Sequence, residues 1–348
     1  MKKTILVTGG AGFIGSNFVN YIYNKYPEWK ILILDALTYA GSIENLPPEV
    51  KNNTRERIEF HYGNVTNAQL VNMLVERSDL IVHFAAETHV SRSIYDNRIF
   101  FETDVLGTQT LANAVQKNTD RIEKFIHIST SEVYGTAVSE YMDEHHILNP
   151  MSPYAAAKAG ADRLVYSYHT TYNLPVTIVR PFNNYGARQH LEKVIPRFIT
   201  SAILGENLHV HGDGSAARDF VHVDDTCRAL DAILHAPMDL VVGKIFNVGS
   251  GQHRTVLSIA KDILQIISKK VVSRGEIQFI GNRPGQVDRH TCDWFNINHV
   301  LGWTPEMSWE NGLESTVDWY INNVEFWKKQ LWMREIPIVT AAGVVEMH

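Results

Sequence analysis

The chain has 348 residues, 45% of them apolar and 20% charged, a balance that supports a sizeable buried core and excludes wholesale disorder. Its net charge of −6 and pI near 6.2 lack the basic footprint of a nucleic-acid binder. Cys227 and Cys292 lie far apart and fit neither a disulfide framework nor a metal site, and no run reaches the roughly 18 apolar residues that span a bilayer.

Met1–Val7 starts like a leader, but its short apolar stretch runs straight into glycines, so a cytoplasmic location is expected. Thr4–Thr8 reads as a buried strand and Phe13–Lys25 as a helix with Phe18, Val19 and Ile22 on one face. Lys30–Asp35, Ile58–Tyr62 and Leu80–Ala85 read as further strands, with helices at Asn67–Glu76 and Thr103–Lys117. Lys124–Ser129 is the next strand, then a helix from Tyr154 to about Tyr172, then a strand at Val176–Arg180. This alternation predicts an α/β fold with a doubly wound parallel sheet. Beyond Arg180 the pattern loosens. Asn183–Arg188 and His211–Arg218 read as loops, and Val194–Leu204, Asp224–Leu234, Ser258–Ser268 and Trp309–Asn322 as helices. The expected organisation is a nucleotide-binding domain over 1–182, joined by a later segment at about 219–250. A smaller mixed α/β substrate lobe follows over 183–330. Residues 331–348 form a tail, whose apolar stretch Ile336–His348 reads as a packed segment or a subunit contact.

Strand Thr4–Thr8 leads into Gly9-Gly10-Ala11-Gly12-Phe13-Ile14-Gly15. Gly9 permits a tight turn, Gly12 lets backbone approach a pyrophosphate, and Gly15 allows helix and strand to pack closely. The spacing is G-x-x-G-x-x-G, so its context matters. Asp35 closes the second strand 20 residues beyond Gly15, where a carboxylate accepts from ribose hydroxyls and repels a 2′-phosphate. NAD is therefore the expected cofactor.

Tyr154-Ala155-Ala156-Ala157-Lys158 puts a phenol and an ammonium on one helix face. The ammonium favours tyrosinate, a general base for oxidising a hydroxyl carbon, and Lys158 can also bond a ribose. Strand Phe125–Ser129 ends in Thr130-Ser131-Glu132, at the edge where open α/β sheets bind ligands. Thr130 can hold a substrate hydroxyl, and Glu132 can serve as a base if burial raises its pKa. A helix cap followed by a turn explains the same spacing equally well. His89, His145 and His146 show no zinc-ligand spacing, so no metal is expected.

Together these motifs resemble the extended short-chain dehydrogenase/reductase family, in particular its nucleotide-sugar 4,6-dehydratases of the dTDP-glucose type. Further supporting segments are Asp35–Gly41, His83–Val90, Asn183-Asn184-Tyr185-Gly186, Gly212-Asp213-Gly214 with Arg218-Asp219, Arg283-Pro284-Gly285 with Arg289, and Leu301-Gly302-Trp303. The resemblance implies oxidation at C4 by Tyr154 and NAD, loss of water across C5 and C6 with Glu132 as base, and hydride return to C6. Lys158 tunes Tyr154, and Thr130 polarises the C4 oxygen. It implies cofactor contacts from Gly9, Gly12, Phe13, Ile14, Gly15, Asp35, Leu37, Thr38, Asn64, Val65, Phe84, Ala85, Ala86, Tyr154 and Lys158. Substrate contacts fall to Thr88, Asn183, Lys193, Arg218, Asn247 and Arg289, for a nucleotide-diphosphate sugar, UDP- or dTDP-hexose. A homodimer through Thr103–Lys117 and Tyr154–Tyr172 is also implied.

Three departures stand out. Ser131 occupies the position of an aspartic acid in dTDP-glucose dehydratases, whereas GDP-mannose dehydratases share Thr-Ser-Glu and use the glutamate as both base and acid. Asn64 replaces an adenine-contacting Asp. Arg180-Pro181-Phe182 is similar to the epimerases, decarboxylases and amino-sugar dehydratases. A 4-epimerase, a uronate decarboxylase, a 5,6-dehydratase and a non-catalytic NAD-binding protein remain open alternatives.

Overall fold

In a computed structural model, the structure describes residues 2–52, 56–281, 288–335, 337–339 and 344–347. The first apolar runs form strands at Thr4–Thr8 (β1), Lys30–Asp35 (β2), Ile58–Tyr62 (β3), Leu80–His83 (β4), Lys124–Ile128 (β5) and Val176–Pro181 (β6). Later strands are Asn183–Tyr185 (β7), Leu208–His211 (β8), Ala217–His222 (β9), Ile245–Val248 (β10), His253–Thr255 (β11) and Ile277–Ile280 (β12).

Strands β1 to β6 and β10 make one seven-stranded sheet in the order β10-β6-β5-β4-β1-β2-β3, and every pairing is parallel. A parallel sheet covered on both faces needs nearly continuous apolar strands, and Ile5, Leu6 and Val7 are fully buried. Successive side chains point to opposite faces. Ile5, Val7, Ile31 and Ile33 therefore pack with Phe18, Val19 and Ile22 of the Phe13–Lys25 helix and with the Val223–His235 helix. Leu6, Leu32 and Leu34 pack on the other face with the helices Ala68–Val75, Thr108–Gln116 and Pro153–Tyr172. The strand order reverses between β1 and β4, the crevice where such sheets take ligands.

The smaller lobe has its own core. Phe198, Ile199 and Ala202 of the Val194–Leu204 helix meet Ile259, Ile263 and Ile267 of the Val256–Ser268 helix and Leu313 and Val317 of the Trp309–Asn322 helix. Two small sheets flank it, β11-β9-β7 and β12-β8.

Several boundaries differ from the sequence-based expectations. Asn183–Arg188 is not all loop: Asn183–Tyr185 pairs with Phe220–His222, and the Thr226 hydroxyl donates to Asn184 Oδ1 at 2.6 Å. A polar strand of this kind is set by its tertiary partners rather than by its own pattern. The expected loop His211–Arg218 likewise begins on β8 and ends on β9. Pairing in β4 stops at His83, which frees Phe84–Ala86 to form a loop. The expected helix Thr103–Lys117 starts as a π-turn over Phe101–Gly107 before becoming α-helical at Thr108–Gln116. In the tail, Pro337–Val339 pairs antiparallel with Val345–Met347, and its backbone lies against the Val90–Tyr95 helix. Ile336, residues 340–343 and His348 lie outside the described residues, as does Arg283-Pro284-Gly285. Among the described residues no helix is long and apolar enough to cross a membrane.

Candidate active site

A cavity of about 500 Å³ opens at the carboxyl edge of the sheet and runs from the glycine loop to Arg218 in the smaller lobe. Its first wall is built by backbone. Gly9 has φ +69°, and a Cβ there would lie 2.5 Å from the Ala85 nitrogen. A Cβ on Gly15 would lie 2.2 Å from the Gly9 oxygen, so glycine loop, helix and the loop after β4 meet at backbone distance. The helix Phe13–Lys25 starts at Gly12 without a side-chain cap, and Phe13, Ile14 and Gly15 line the cavity. An uncapped helix start with free N–H groups suits a pyrophosphate.

Asp35 stands beside this loop. Its Oδ2 accepts from Ala11 N at 2.9 Å and its Oδ1 from Leu37 N at 2.8 Å. Burial raises its pKa, and these two backbone bonds oppose the rise. Thr38, Asn64, Val65, Phe84, Ala85 and Ala86 line the same wall. Leu37 does not: at φ +48° it turns its side chain toward the core. Asn64 Oδ1 already accepts from the Thr66 N–H and hydroxyl, each at 2.9 Å, so the amide oxygen faces its own turn. The loop, the acidic strand end and the apolar slot fit a dinucleotide.

The second wall carries Thr130, Glu132, Tyr154 and Lys158. Ser152 caps the Pro153–Tyr172 helix by accepting from Ala155 N at 3.1 Å, and Pro153 takes the first helical position, which fixes where Tyr154 projects. The Thr130 hydroxyl caps the short 3₁₀ turn Ser131–Tyr134 by accepting from Glu132 N at 3.2 Å, and it acts to lower the pKa of the Tyr154 phenol. Burial pushes the Tyr154 phenol up, and Asp104 and Glu132 push the same way, against the Thr130 bond. Lys158 is buried, donates to the Ile128 carbonyl at 2.7 Å, and has its pKa lowered by burial against the pull of Asp104 and Asp162.

The remaining expected residues divide. Thr88, Asn183, Lys193 and Arg218 line the cavity. Ser131, Asn247 and Arg289 do not. The Ser131 hydroxyl lies 3.4 Å from His290 Nδ1. Asn247 is fully buried, accepting from the Tyr134 hydroxyl at 2.7 Å and donating to the Met142 carbonyl at 2.9 Å. Its position on the edge strand β10 commits both amide atoms to these partners. Arg289 donates to the carbonyls of Glu140 and Ser139, holding that loop.

Sequence reasoning overlooked Glu87, His190 and Glu192, which also line the cavity. Burial pushes Glu87 up to about 7, opposed by a hydrogen bond to Thr38. Glu192 pairs with Arg92 at 2.8 Å, and burial holds His190 down to about 4. Glu87 sat inside the quoted segment His83–Val90, but its character comes from burial and from charges that include Glu192, more than 100 residues away.

Residues 6–316 match the family model described as GDP-mannose 4,6 dehydratase. The chain is 44% identical to the low-salt glycan biosynthesis protein Agl12 of Haloferax volcanii, over 92% of this chain and 99% of that one. It is 37% identical to a dTDP-glucose 4,6-dehydratase of an Actinoplanes species, over 93% and 99% respectively. Its structure is similar to that of the dTDP-glucose 4,6-dehydratase DesIV of Streptomyces venezuelae with NAD and TYD bound. There the TM-score is 0.86 at 39% identity, covering 94% of this chain and 99% of that one. With a glycine loop, a Tyr/Lys pair and Thr130 and Glu132 around one cavity, the chain belongs to the GDP-mannose 4,6 dehydratase family.

Proposed function

We propose that this chain, an NAD-dependent nucleotide-sugar dehydratase, converts a UDP- or dTDP-hexose into the 4-keto-6-deoxy sugar. One observation carries the reading: Thr130 and Glu132 share a cavity wall with Tyr154 and Lys158. A tyrosine and lysine alone serve any oxidation at a hydroxyl carbon. A carboxylate beside them adds a base for the neighbouring carbon.

Bound NAD supplies the acceptor for the C4 hydride and the donor that returns it to C6. Tyr154 takes the O4 proton while Thr130 holds the C4 oxygen. The resulting ketone acidifies the C5 proton, which Glu132 takes. Ser131 faces His290 rather than the cavity, so Glu132 passes its proton to the departing C6 hydroxyl and water leaves. Solvent then re-protonates Glu132, which delivers a proton to C5 as hydride reaches C6. Lys193 and Arg218 sit in the lobe half of the cavity, where cationic side chains suit a diphosphate.

Residues 1–182 with the later segment at about 219–250 form the cofactor half in this reading, and 183–330 mainly the substrate half. We place the enzyme in the cytoplasm as a homodimer. Buried free thiols at Cys227 and Cys292 support the first, and exposed Leu106, Tyr166 and Tyr172 on the two expected interface helices support the second. Sedimentation of the purified protein tests the dimer.

Mass spectrometry after incubation with UDP-, dTDP-, GDP- and CDP-hexoses tests the activity. Loss of one water from a UDP- or dTDP-sugar, without net reduction of the cofactor, is expected. Loss of carbon dioxide, or a product of unchanged mass, overturns the assignment.

A further inference from the structure

The lobe half of the cavity holds a cation to which the mechanism above gives no task. The helix Val194–Leu204 starts at Lys193 with no side-chain cap. Lys193, Val194, Arg197 and Phe198 line the cavity, so the face spaced i, i+3, i+4 from Val194 looks into it. Arg197 stands one turn beyond Lys193 on that face. Its Nη1 donates to the Arg334 carbonyl at 3.2 Å, and among the described residues it forms no ion pair. Burial pushes its pKa down and Arg334 pushes the same way, against a pull from Glu335 and Glu206. A partly buried guanidinium with no carboxylate against it is costly until an anion meets it.

The C-terminal tail holds this arginine. Arg334 grips the Val194–Leu204 helix twice. Its carbonyl takes Arg197, while its own Nη1 pairs with Glu206 Oε2 at 2.9 Å and donates to the Ser201 hydroxyl at 3.3 Å. Ser201 lies one turn beyond Arg197 on the same helix. Glu206 is thereby engaged by Arg334 and not by Arg197. Further along, the backbone of Pro337–Val339 packs against the Val90–Tyr95 helix, whose Val90 and Ser91 line the cavity. The tail therefore touches both the lobe and the nucleotide-binding half.

We propose that Arg197 is a further phosphate-binding residue of the substrate site, and that the tail seats it through Arg334. The ligand is the diphosphate of the nucleotide sugar, so the inference rests on the proposed function. A guanidinium carries five N–H donors in a fixed fork. The Arg334 carbonyl takes one of them, which sets the orientation of the fork and leaves donors for phosphate oxygens. Lys193 and Arg218 line the same half of the cavity and add their charge. Arg334 makes no contact with substrate in this arrangement; it is a positioning residue.

The test titrates UDP and dTDP into the NAD-bound protein by calorimetry. Arg197→Met keeps the apolar stem and drops the charge. It should weaken whichever diphosphate binds by about 10- to 100-fold, the worth of a charge-assisted hydrogen bond. Arg197→Lys should recover part of that loss. NAD affinity should hold, and so should binding of the bare nucleoside, followed by ligand-observed NMR, because neither places a phosphate at this wall. Arg334→Ala should weaken the diphosphate by a smaller factor, and Arg334→Lys should restore it. Added to Arg197→Met, Arg334→Ala should change nothing more. An unchanged diphosphate affinity in Arg197→Met, or an equal loss for the nucleoside, overturns the proposal. So does an Arg334→Ala effect that is absent or that adds in full to that of Arg197→Met. The measurement needs no turnover. A wild type that binds neither UDP nor dTDP overturns the proposed substrate and this inference together. One that binds either, with Arg197→Met unaltered, overturns this inference alone.

Discussion

The loops that leave β1 and β5 lie at the same edge of one sheet, with β4 between them, yet they are held in different ways. The glycine loop is pinned by its neighbours in the chain. Gly9 N donates to Leu34 O at 2.8 Å, Gly12 N to Gly9 O at 3.2 Å, and Ala11 N to Asp35. The Thr130–Gly135 turn is held from far away. Tyr134 donates to Asn247 and receives Arg180 Nη1 at 3.0 Å, while His290 Nε2 lies 2.8 Å from the Gly135 carbonyl. Cofactor binding should therefore tolerate changes in the distant lobe, and the catalytic turn should not.

The largest expected effect comes from Glu132→Gln, which removes the proposed base and touches neither loop's anchors. Water loss should fall by about 10²- to 10⁴-fold, the usual worth of a positioned general base. NAD affinity should not change. Hydrogen–deuterium exchange at C5 of the sugar, followed by mass spectrometry, should stop with it. Undiminished exchange in the variant would falsify the assignment of Glu132.

Arg180→Leu tests the remote anchoring. Arg180 is 1% exposed and donates to both carboxylate oxygens of Asp162, at 2.9 and 3.0 Å. Removing it leaves the buried Asp162 carboxylate with only the more exposed Arg163 as ion-pair partner, at a cost of up to about 3–5 kcal/mol. Thermal unfolding should show the loss. In the protein that still folds, kcat should fall while NAD affinity holds. If NAD binding weakens as much as turnover, the two loops are not independent and the contrast between them is wrong.

The reciprocal variant is Gly15→Ala. Its Cβ would sit 2.2 Å from a backbone oxygen that has no flexible atom to yield. Overpacking of this kind costs about 1–3 kcal/mol. The glycine loop must shift, so NAD should bind about tenfold more weakly or worse by calorimetry. The Thr130–Gly135 turn should keep its geometry, and kcat at saturating NAD should stay near the wild-type value.

This contrast also explains what the sequence made legible. Strand–glycine–helix order and Asp35 encode the cofactor wall within one βαβ stretch, because each contact is local. Tyr154 and Lys158 were legible for the same reason, being one helical turn apart. Asn247 and Arg289 lie off the cavity, held by partners, Tyr134, Met142, Ser139 and Glu140, more than 100 residues away. The polar strand β7 was missed because Asn183-Asn184-Tyr185 carries no alternating pattern; pairing with β9 makes it a strand. Glu87 and Asp104 escaped because burial, not residue type, gives each its character.

Glu87 lies on the loop after β4, between the two regions, and its prediction is the smallest and most diagnostic. Its folded pKa is raised, from 4.5 to about 7. A carboxyl shifted upward gives stability that is complete below about 4.5 and lost as pH rises through about 7. Ionising it in the folded protein therefore costs on the order of 3 kcal/mol at higher pH. Glu87→Gln stays neutral. Its Tm should match the wild type near pH 4.5, exceed it increasingly up to pH 7, and level off above. A constant difference across that range would show that the Glu87 proton does not govern stability. The functional reading of the same variant decides which region owns the residue. Glu87 bonds Thr38 in the cofactor wall, and its backbone N–H bonds Asp104 beneath the catalytic pair. Replacing the side chain leaves the second bond intact. A stabilised variant with weaker NAD binding and normal kcat then assigns Glu87 to the glycine-loop side, and the reverse result assigns it to the catalytic turn.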